Sequence, residues 1–432
     1  MANEENRINP ARTASPSGWS RATESLATPA FRIVLISNLT FFLAMGGQTI
    51  VRPWLAYELA GDDNKALSLG IVTAATAIPM LFLSPAGGVF ADRMERRRLI
   101  MLAQAFVIFA ETLPLIMLYL ERLEFWHLVA TAGMMGCAFP LMMPARSAIV
   151  ANIVGRKSLA SAMALNMTGV NLTRVLGPAG AGFLISIMDI KSVYLINLGF
   201  YAFAFFALFG VNKLPAAPGG RDVSVMRNLA DGFKYIWTRR LILVLLAYGL
   251  IPQFLAMPFQ SLLPVFSEQV WGMGPFGFGI LHAASGVGAV TGSMFVAGRN
   301  PDSGRLRLMM VSVLLFVGLL AAFAQSPWFW VAVILIFVAN IFASTFSTLN
   351  NVSIQLVIED AYRGRVSSFL MMSVSLPLLG TLPIGALADR IGAPLAVAGA
   401  CLLAAIVSIL FYFGSQNLRD LDAHVRRAQH RT

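Results

Sequence analysis

Apolar runs long enough to cross a lipid bilayer recur along this chain, and they leave few options for how it can fold. A run of about 18 or more residues with almost no charge reads as a spanning helix. Twelve can be drawn, over residues 31–57, 68–91, 99–120, 125–150, 160–186, 193–212, 241–268, 276–298, 308–325, 328–357, 366–388 and 394–414. Most exceed the roughly 20 residues needed to cross, so tilted helices, or helices that project into water, are expected. The expected fold is all-α and integral to the membrane, with twelve transmembrane helices in two pseudo-symmetric six-helix bundles. With 57% of residues apolar and only 12% charged, a soluble domain is excluded.

The formal charge of +11 would point to nucleic acid in a soluble chain. Here it reads as an orientation signal. Of the 32 Lys and Arg, four fall in outer loops (Lys65, Arg122, Lys191, Arg390) and three within spans (Arg52, Arg146, Arg174). The other 25 lie in loops and tails on one face, which the positive-inside rule makes cytoplasmic. Contact with anionic headgroups is expected there, and no nucleic-acid motif appears. An even number of spans puts both termini on that face. The expected location is the bacterial cytoplasmic (inner) membrane.

Cys137 and Cys401 lie in distant spans and suggest neither a disulfide nor a metal site. No H-E-x-x-H, C-x-x-C, P-loop or G-x-S-x-G occurs. No cofactor, metal or enzymatic activity is expected, and without an ATP site the drive must be a gradient. Residues 1–29 are polar, with no apolar core, and read as a cytoplasmic tail, not a cleaved signal. Residues 30–212 make the first bundle, 213–240 a cytoplasmic linker, 241–415 the second bundle and 416–432 a cytoplasmic tail. In the linker Val225, Leu229, Phe233 and Ile236 or Trp237 recur at helical spacing among charges, the pattern of an amphipathic helix on the membrane surface.

The halves repeat. Phe42-Leu43-Ala44-Met45 and Gln48 return as Phe254-Leu255-Ala256-Met257 and Gln260, at an offset of 212. At an offset of 209, Gly70 pairs with Gly279, Ala74 with Ala283, Arg96 with Arg305 and Met101 with Met310. Duplicated halves place a substrate site between them near the midplane, with one half rocking against the other.

The stretch Gly88 to Arg98 reads G-V-F-A-D-R-M-E-R-R-R, a tight polar turn between two spans. It resembles the loop between helices 2 and 3 of major facilitator superfamily transporters, through Gly88, Asp92, Arg93, Arg96 and Arg97. The resemblance implies a cytoplasmic gate in which Asp92 meets the start of helix 11 near Arg365; Arg146, near the inner end of helix 4, is a further candidate partner for Asp92 by its position. G-A-L-A-D-R-I-G at Gly385 to Gly392 looks like a second copy, but the span count places it on the outer face. Asp389 and Arg390 are therefore read as an ordinary turn and not as a gate.

From Pro144 to Ile185 the chain carries P-A-R-S-A, a basic turn, A-L-N, N-L-T-R and G-P-A-G-A-G. This resembles the exporter branch of that superfamily that includes enterobactin exporters and macrolide-efflux proteins. The last segment also resembles the helix 5 motif of antiporters, with Thr173 and Ala181 in place of two glycines. Gly177, Pro178 and Gly182 are read as helix-packing residues, since small residues allow close approach and proline permits a bend.

Charges inside the spans are functional suspects. Glu111 lies mid-span, and a proton carrier needs such a group; a structural pairing with Arg52 is the competing account. His282 is a further titratable candidate. Gln48, Gln253, Gln260, Asn166, Asn171, Arg174 and Asn340 are the candidate substrate contacts, and Gln48 and Gln260 are expected to face each other across a central cavity. The expected activity is alternating access, exporting small amphipathic compounds such as drugs or siderophore-like molecules in exchange for protons. A monomer is the expected state. An importer or facilitator of a small polar metabolite, and a non-transporting scaffold or receptor, are the alternatives.

Overall fold

The computed structural model describes residues 25–212, 225–298, 304–359, 375–419 and 421. The side chains of 85–89, 91–93, 155–157, 225–229 and 417 lie outside that description. All regular structure among the described residues is helical. We number the long helices α1 (Pro29–Leu59), α2 (Lys65–Arg93), α3 (Arg96–Tyr119), α4 (Phe125–Val154), α5 (Ser158–Ile187) and α6 (Ile190–Ala207). A linker helix, Val225–Thr238, precedes α7 (Arg240–Leu255), α8 (Gly274–Ala297), α9 (Arg305–Ala324), α10 (Phe329–Val357), α11 (Thr381–Ile391) and α12 (Ala393–Gly414).

Eleven stretches are long and apolar enough to cross a bilayer among the described residues. The twelfth is described only in part, as α11. Apart from the linker between the halves, the connections among the described residues are short. Gly392, at φ +87°, joins α11 to α12 as a single left-handed residue, a conformation that favours glycine. Helical backbone runs unbroken from Phe125 to Ile187, where the sequence suggested a turn after residue 150. The direction must nevertheless reverse within it. Gly136 of α4 lies against Thr76, in the middle of α2, and Gly177 of α5 lies against Gly46, in the middle of α1.

The helix α7 departs most from a regular span. Beyond Leu255 it continues as tighter turns, Met257–Leu262, and then as a wide turn, Phe266–Val270. Pro252, Pro258 and Pro264 each lack a donor N–H, so the regular ladder cannot run through them. In a membrane such broken backbone is tolerated where it lines a cavity.

Among the described residues, two pairs of helices make the most extensive contacts between the halves. The first is α5 with α8, where a Cβ added to Gly182 would sit 2.7 Å from the Cα of Gly279. The second is α2 with α11, where a Cβ on Gly70 would sit 2.6 Å from the carbonyl oxygen of Thr381, and one on Gly385 would sit 2.6 Å from that of Ala66. These contacts lie at or beyond mid-helix toward the end opposite the arginine-rich turn.

Burial shows the same asymmetry. Three apolar cores form among the described residues. One, at the end away from the arginines, draws on both halves, with Ile50 and Leu128 packed in one body with Phe259, Phe323 and Ala396. At the arginine end each half has its own core, one around Phe41, Val107 and Tyr201 and the other around Tyr248, Met309 and Phe346. Among the described residues the halves therefore share one core at one end, the fused end, and keep separate cores at the other. The linker helix docks Tyr235 and Ile236 into the second of these cores, while Phe233 and Trp237 stack outward at 5.6 Å. Its apolar residues thus face two ways, not only toward the membrane surface. Arg239, just beyond it, pairs with Glu359 at 2.5 Å.

Candidate functional site

A cavity of about 800 Å³ lies between the halves, where the shared core gives way to the two separate ones. Its walls come from α1, α2, α4 and α5 in one half and from α7, α8, α10 and α11 in the other. None of its lining residues comes from α3, α6, α9 or α12. Most of the wall is apolar, and Met45, Met80, Met135 and Met257 give it a deformable surface.

Of the residues singled out in the sequence, Gln48, Arg52, Arg174, Gln253, Gln260 and His282 line this cavity. Gln48 and Gln260, the repeat-related pair, stand on opposite halves of it. Gln48 is 4% exposed and its amide is already committed, donating to Glu111 at 2.5 Å. The Gln260 amide faces only the sulfur of Met257, at 3.9 Å. His282 is half-buried, with its ring stacked on Phe278.

Glu111 is fully buried on α3 and closes a cluster behind the cavity wall. Arg52 forms an ion pair with one carboxylate oxygen. Gln48 and the Tyr194 hydroxyl, the latter at 2.7 Å, donate to the other. Three helices, α1, α3 and α6, thus meet on one carboxylate. The Gln48 Oε1 and the Arg52 Nε remain buried without a hydrogen-bond partner.

Three expected substrate contacts do not reach the cavity. Asn166 accepts from the Asn38 amide at 2.8 Å, and Asn38 in turn accepts from Arg146. Arg146 is 3% exposed and lies over the Phe41 ring at 4.2 Å. This chain of polar groups ties α4, α1 and α5 together, so the A-R and L-N elements of the sequence motif serve packing here. Asn340 is buried and donates to the Ile336 carbonyl of its own helix, with Gly288 close against it. Asn171 is half-buried and absent from the lining.

The helix-packing residues divide between two partners. Gly177 faces α1 at Gly46, and Gly182 faces α8 at Gly279. The Pro178 ring lies toward Gly46 and its carbonyl toward Gly279. At the arginine turn, Arg96 donates to the Ala148 carbonyl and, at 2.5 Å, to the Asn152 side chain. Arg97 donates to the Leu208 carbonyl at 3.0 Å. Arg97 thus satisfies a carbonyl at the C-terminus of α6, where cations are favoured, and Arg96 ties α3 to α4. The side chains of Asp92 and Arg93, the surroundings of Gly88, and Arg365 lie outside the described residues.

Several site residues escaped the sequence reading. Thr49, Thr73, Thr76, Asn350 and Asn351 all line the cavity. The adjacent asparagines in an apolar span, and the three prolines of α7, were the available signals. Asp389 also escaped. The span count made it part of an ordinary turn, but its carboxylate reaches across the halves. It accepts from the backbone N–H of Ala66 at 2.9 Å and of Leu67 at 2.8 Å, in the first turn of α2. It therefore caps a helix of the other half at the fused end.

The sequence profile of the transmembrane secretion effectors matches residues 20–431. The chain belongs to that family. The transmembrane secretion effectors are a branch of the major facilitator superfamily, and the fold is the twelve-helix, two-bundle architecture that the sequence pattern led us to expect. Macrolide efflux protein A of Streptococcus pyogenes is 20% identical over 82% of this chain and 91% of its own. An enterobactin exporter of Shigella boydii is 25% identical over 78% of this chain and 80% of its own. Among solved structures, a bacterial homologue of the human lysosomal transporter Spinster, in an inward-facing and unoccupied conformation, superposes with a TM-score of 0.69 at 15% identity. That superposition covers 94% of this chain and 98% of the other. This secretion effector is a multi-pass membrane transporter of small molecules, and not an enzyme.

Proposed function

We propose that this secretion effector is a secondary active exporter of small amphipathic compounds, working by alternating access across a bacterial inner membrane. The observation that carries this is the cavity of about 800 Å³ between the two halves, apolar for most of its wall and set with a few hydrogen-bonding groups. Its size falls in the range that encloses a drug-sized ligand. The likeness to macrolide and enterobactin exporters supports the outward direction. The sparse polar inventory weighs against an importer of polar metabolites.

The arginine-rich turn supports a cytoplasmic setting for its end of the molecule. On that assignment both termini are cytoplasmic, the fused end is the outer gate, and the conformation is inward-facing. Protons are the proposed coupling ion. Glu111 is the group proposed to carry them, because it is bonded to two residues of the cavity wall, Gln48 and Arg52. The test is a substrate panel in liposomes reconstituted with the full chain, under an imposed pH gradient. Uphill flux of amphipathic compounds, lost in Glu111→Gln while downhill exchange continues, is the expected result. No flux beyond that of empty liposomes refutes the transport reading. Uphill flux that survives in Glu111→Gln removes Glu111 from coupling.

A further inference from the structure

Among the described residues, the cavity wall presents guanidinium groups and no carboxylate. Arg52 and Arg174 both line it, from α1 and α5, and no Asp or Glu is among the lining residues. Glu111 sits behind the wall, fully buried, with its two oxygens occupied by Arg52, Gln48 and Tyr194. Arg52 is 8% exposed, and its Nε faces no acceptor despite the ion pair. Arg174 is exposed and makes no ion pair or hydrogen bond among the described residues. A guanidinium that lines a cavity within a span, with no protein partner, is open to an anionic ligand.

We infer that the cavity takes amphipathic organic anions, with a carboxylate or similar oxyanion held on Arg174 and the apolar body resting against Met80, Met135 and Phe139. This deepens the transport reading above and rests on it. The guanidinium fork matches two oxygens of a carboxylate, a geometry that a point charge does not reproduce. Gln253 and Gln260 add neutral donors from the facing half. Among the described lining residues a cationic substrate finds no counter-charge, and Glu111 behind them is already bonded to Arg52, Gln48 and Tyr194. The membrane potential, negative inside, pushes an anion outward, so the charge of the site and the direction of export agree.

The test uses three probes that share one ring system and differ in charge: 1-naphthylacetate, its methyl ester and 1-naphthylethylammonium. Each is titrated calorimetrically into the full chain in detergent at neutral pH. The carboxylate is expected to bind at least about tenfold more tightly than the other two. Arg174→Gln should bring it down to the affinity of the ester, and Arg174→Lys should keep part of the preference. Melting temperatures of both variants report folding, and the lysine variant serves alone if the glutamine variant does not fold. Ester or ammonium binding as tight as the carboxylate, no binding of any probe, or a preference that survives Arg174→Gln overturns the anion assignment. Flux of the same probes in liposomes separates the two readings. Movement of the ammonium or the ester without the carboxylate keeps the transporter and removes the anion.

Discussion

Replacing Asp389 by alanine should shift the balance between the two ends of the molecule. Its carboxylate bonds two backbone N–H groups of the first turn of α2, at 2.9 and 2.8 Å, and these are the bonds an N-cap supplies. Here, however, the cap comes from the opposite half, so it exists only while the fused end is closed. Loss of a cap costs about 0.5–2 kcal/mol. Asp389 is half-buried, and water would satisfy part of what is lost, so we take about 1–2 kcal/mol as the bias removed from the closed end. That is a shift of roughly 5- to 30-fold in the ratio of closed to open outer gate. Asp389→Asn, which keeps one acceptor but no charge, should fall between. The assay is the distance distribution between spin labels at Gly61→Cys and Ile391→Cys, with Cys137 and Cys401 replaced by alanine. Position 61 has open space around it and Ile391 is 46% exposed, so labels fit at both. A second, longer distance should grow in Asp389→Ala. An unchanged distribution would refute the reasoning and return Asp389 to the status of a turn residue.

Three further outcomes follow from the packing. Glu111→Leu should lower thermal stability by about 3–5 kcal/mol, because it leaves Arg52 buried without its partner, and Arg52→Leu in the same chain should restore much of the loss; an additive double mutant would contradict this. Gln48→Ala and Gln260→Ala should each weaken substrate affinity, with non-additive effects if one ligand bridges the halves, and only Gln48→Ala should also lower the melting temperature, since it alone loses a bond to Glu111. Gly182→Val should open the outer gate in the same label assay, because its Cβ would meet the backbone of α8; a closed gate in that variant would show that α5 and α8 separate without cost.

The membrane architecture was legible because the length of an apolar run is a one-dimensional quantity. Glu111 was legible as an anomaly for the same reason. The pairing with Arg52 was the competing account and the structure forms it, but Gln48 and Tyr194 were not legible as partners, because no spacing connects them to Glu111. Asn166 and Asn340 show the opposite error. A polar residue in an apolar span can face a cavity or bond a neighbouring backbone or side chain, and composition does not distinguish the two. Asp389 was misjudged for a geometrical reason. Counting spans fixes the face on which a turn lies, but not which helix of the other half stands beside it. In three dimensions the end of α11 meets the start of α2, so the copy of G-x-x-A-D-R that seemed misplaced sits against a helix terminus of the opposite half.

The fusion of the two halves into one apolar core at a single end has a thermal consequence. Parting that core to expose the cavity on the other side puts apolar surface into water, and such exposure raises the heat capacity. The conformational step therefore carries an activation enthalpy that changes with temperature, and its rate cannot follow a straight Arrhenius line. Cooling weakens the hydrophobic contribution that holds the core together, so the gate is tied less tightly in the cold than its contacts alone suggest. The setting of the resting molecule is in this sense a property of its solvent as much as of its side chains, and temperature is a lever on it that no substitution is needed to pull.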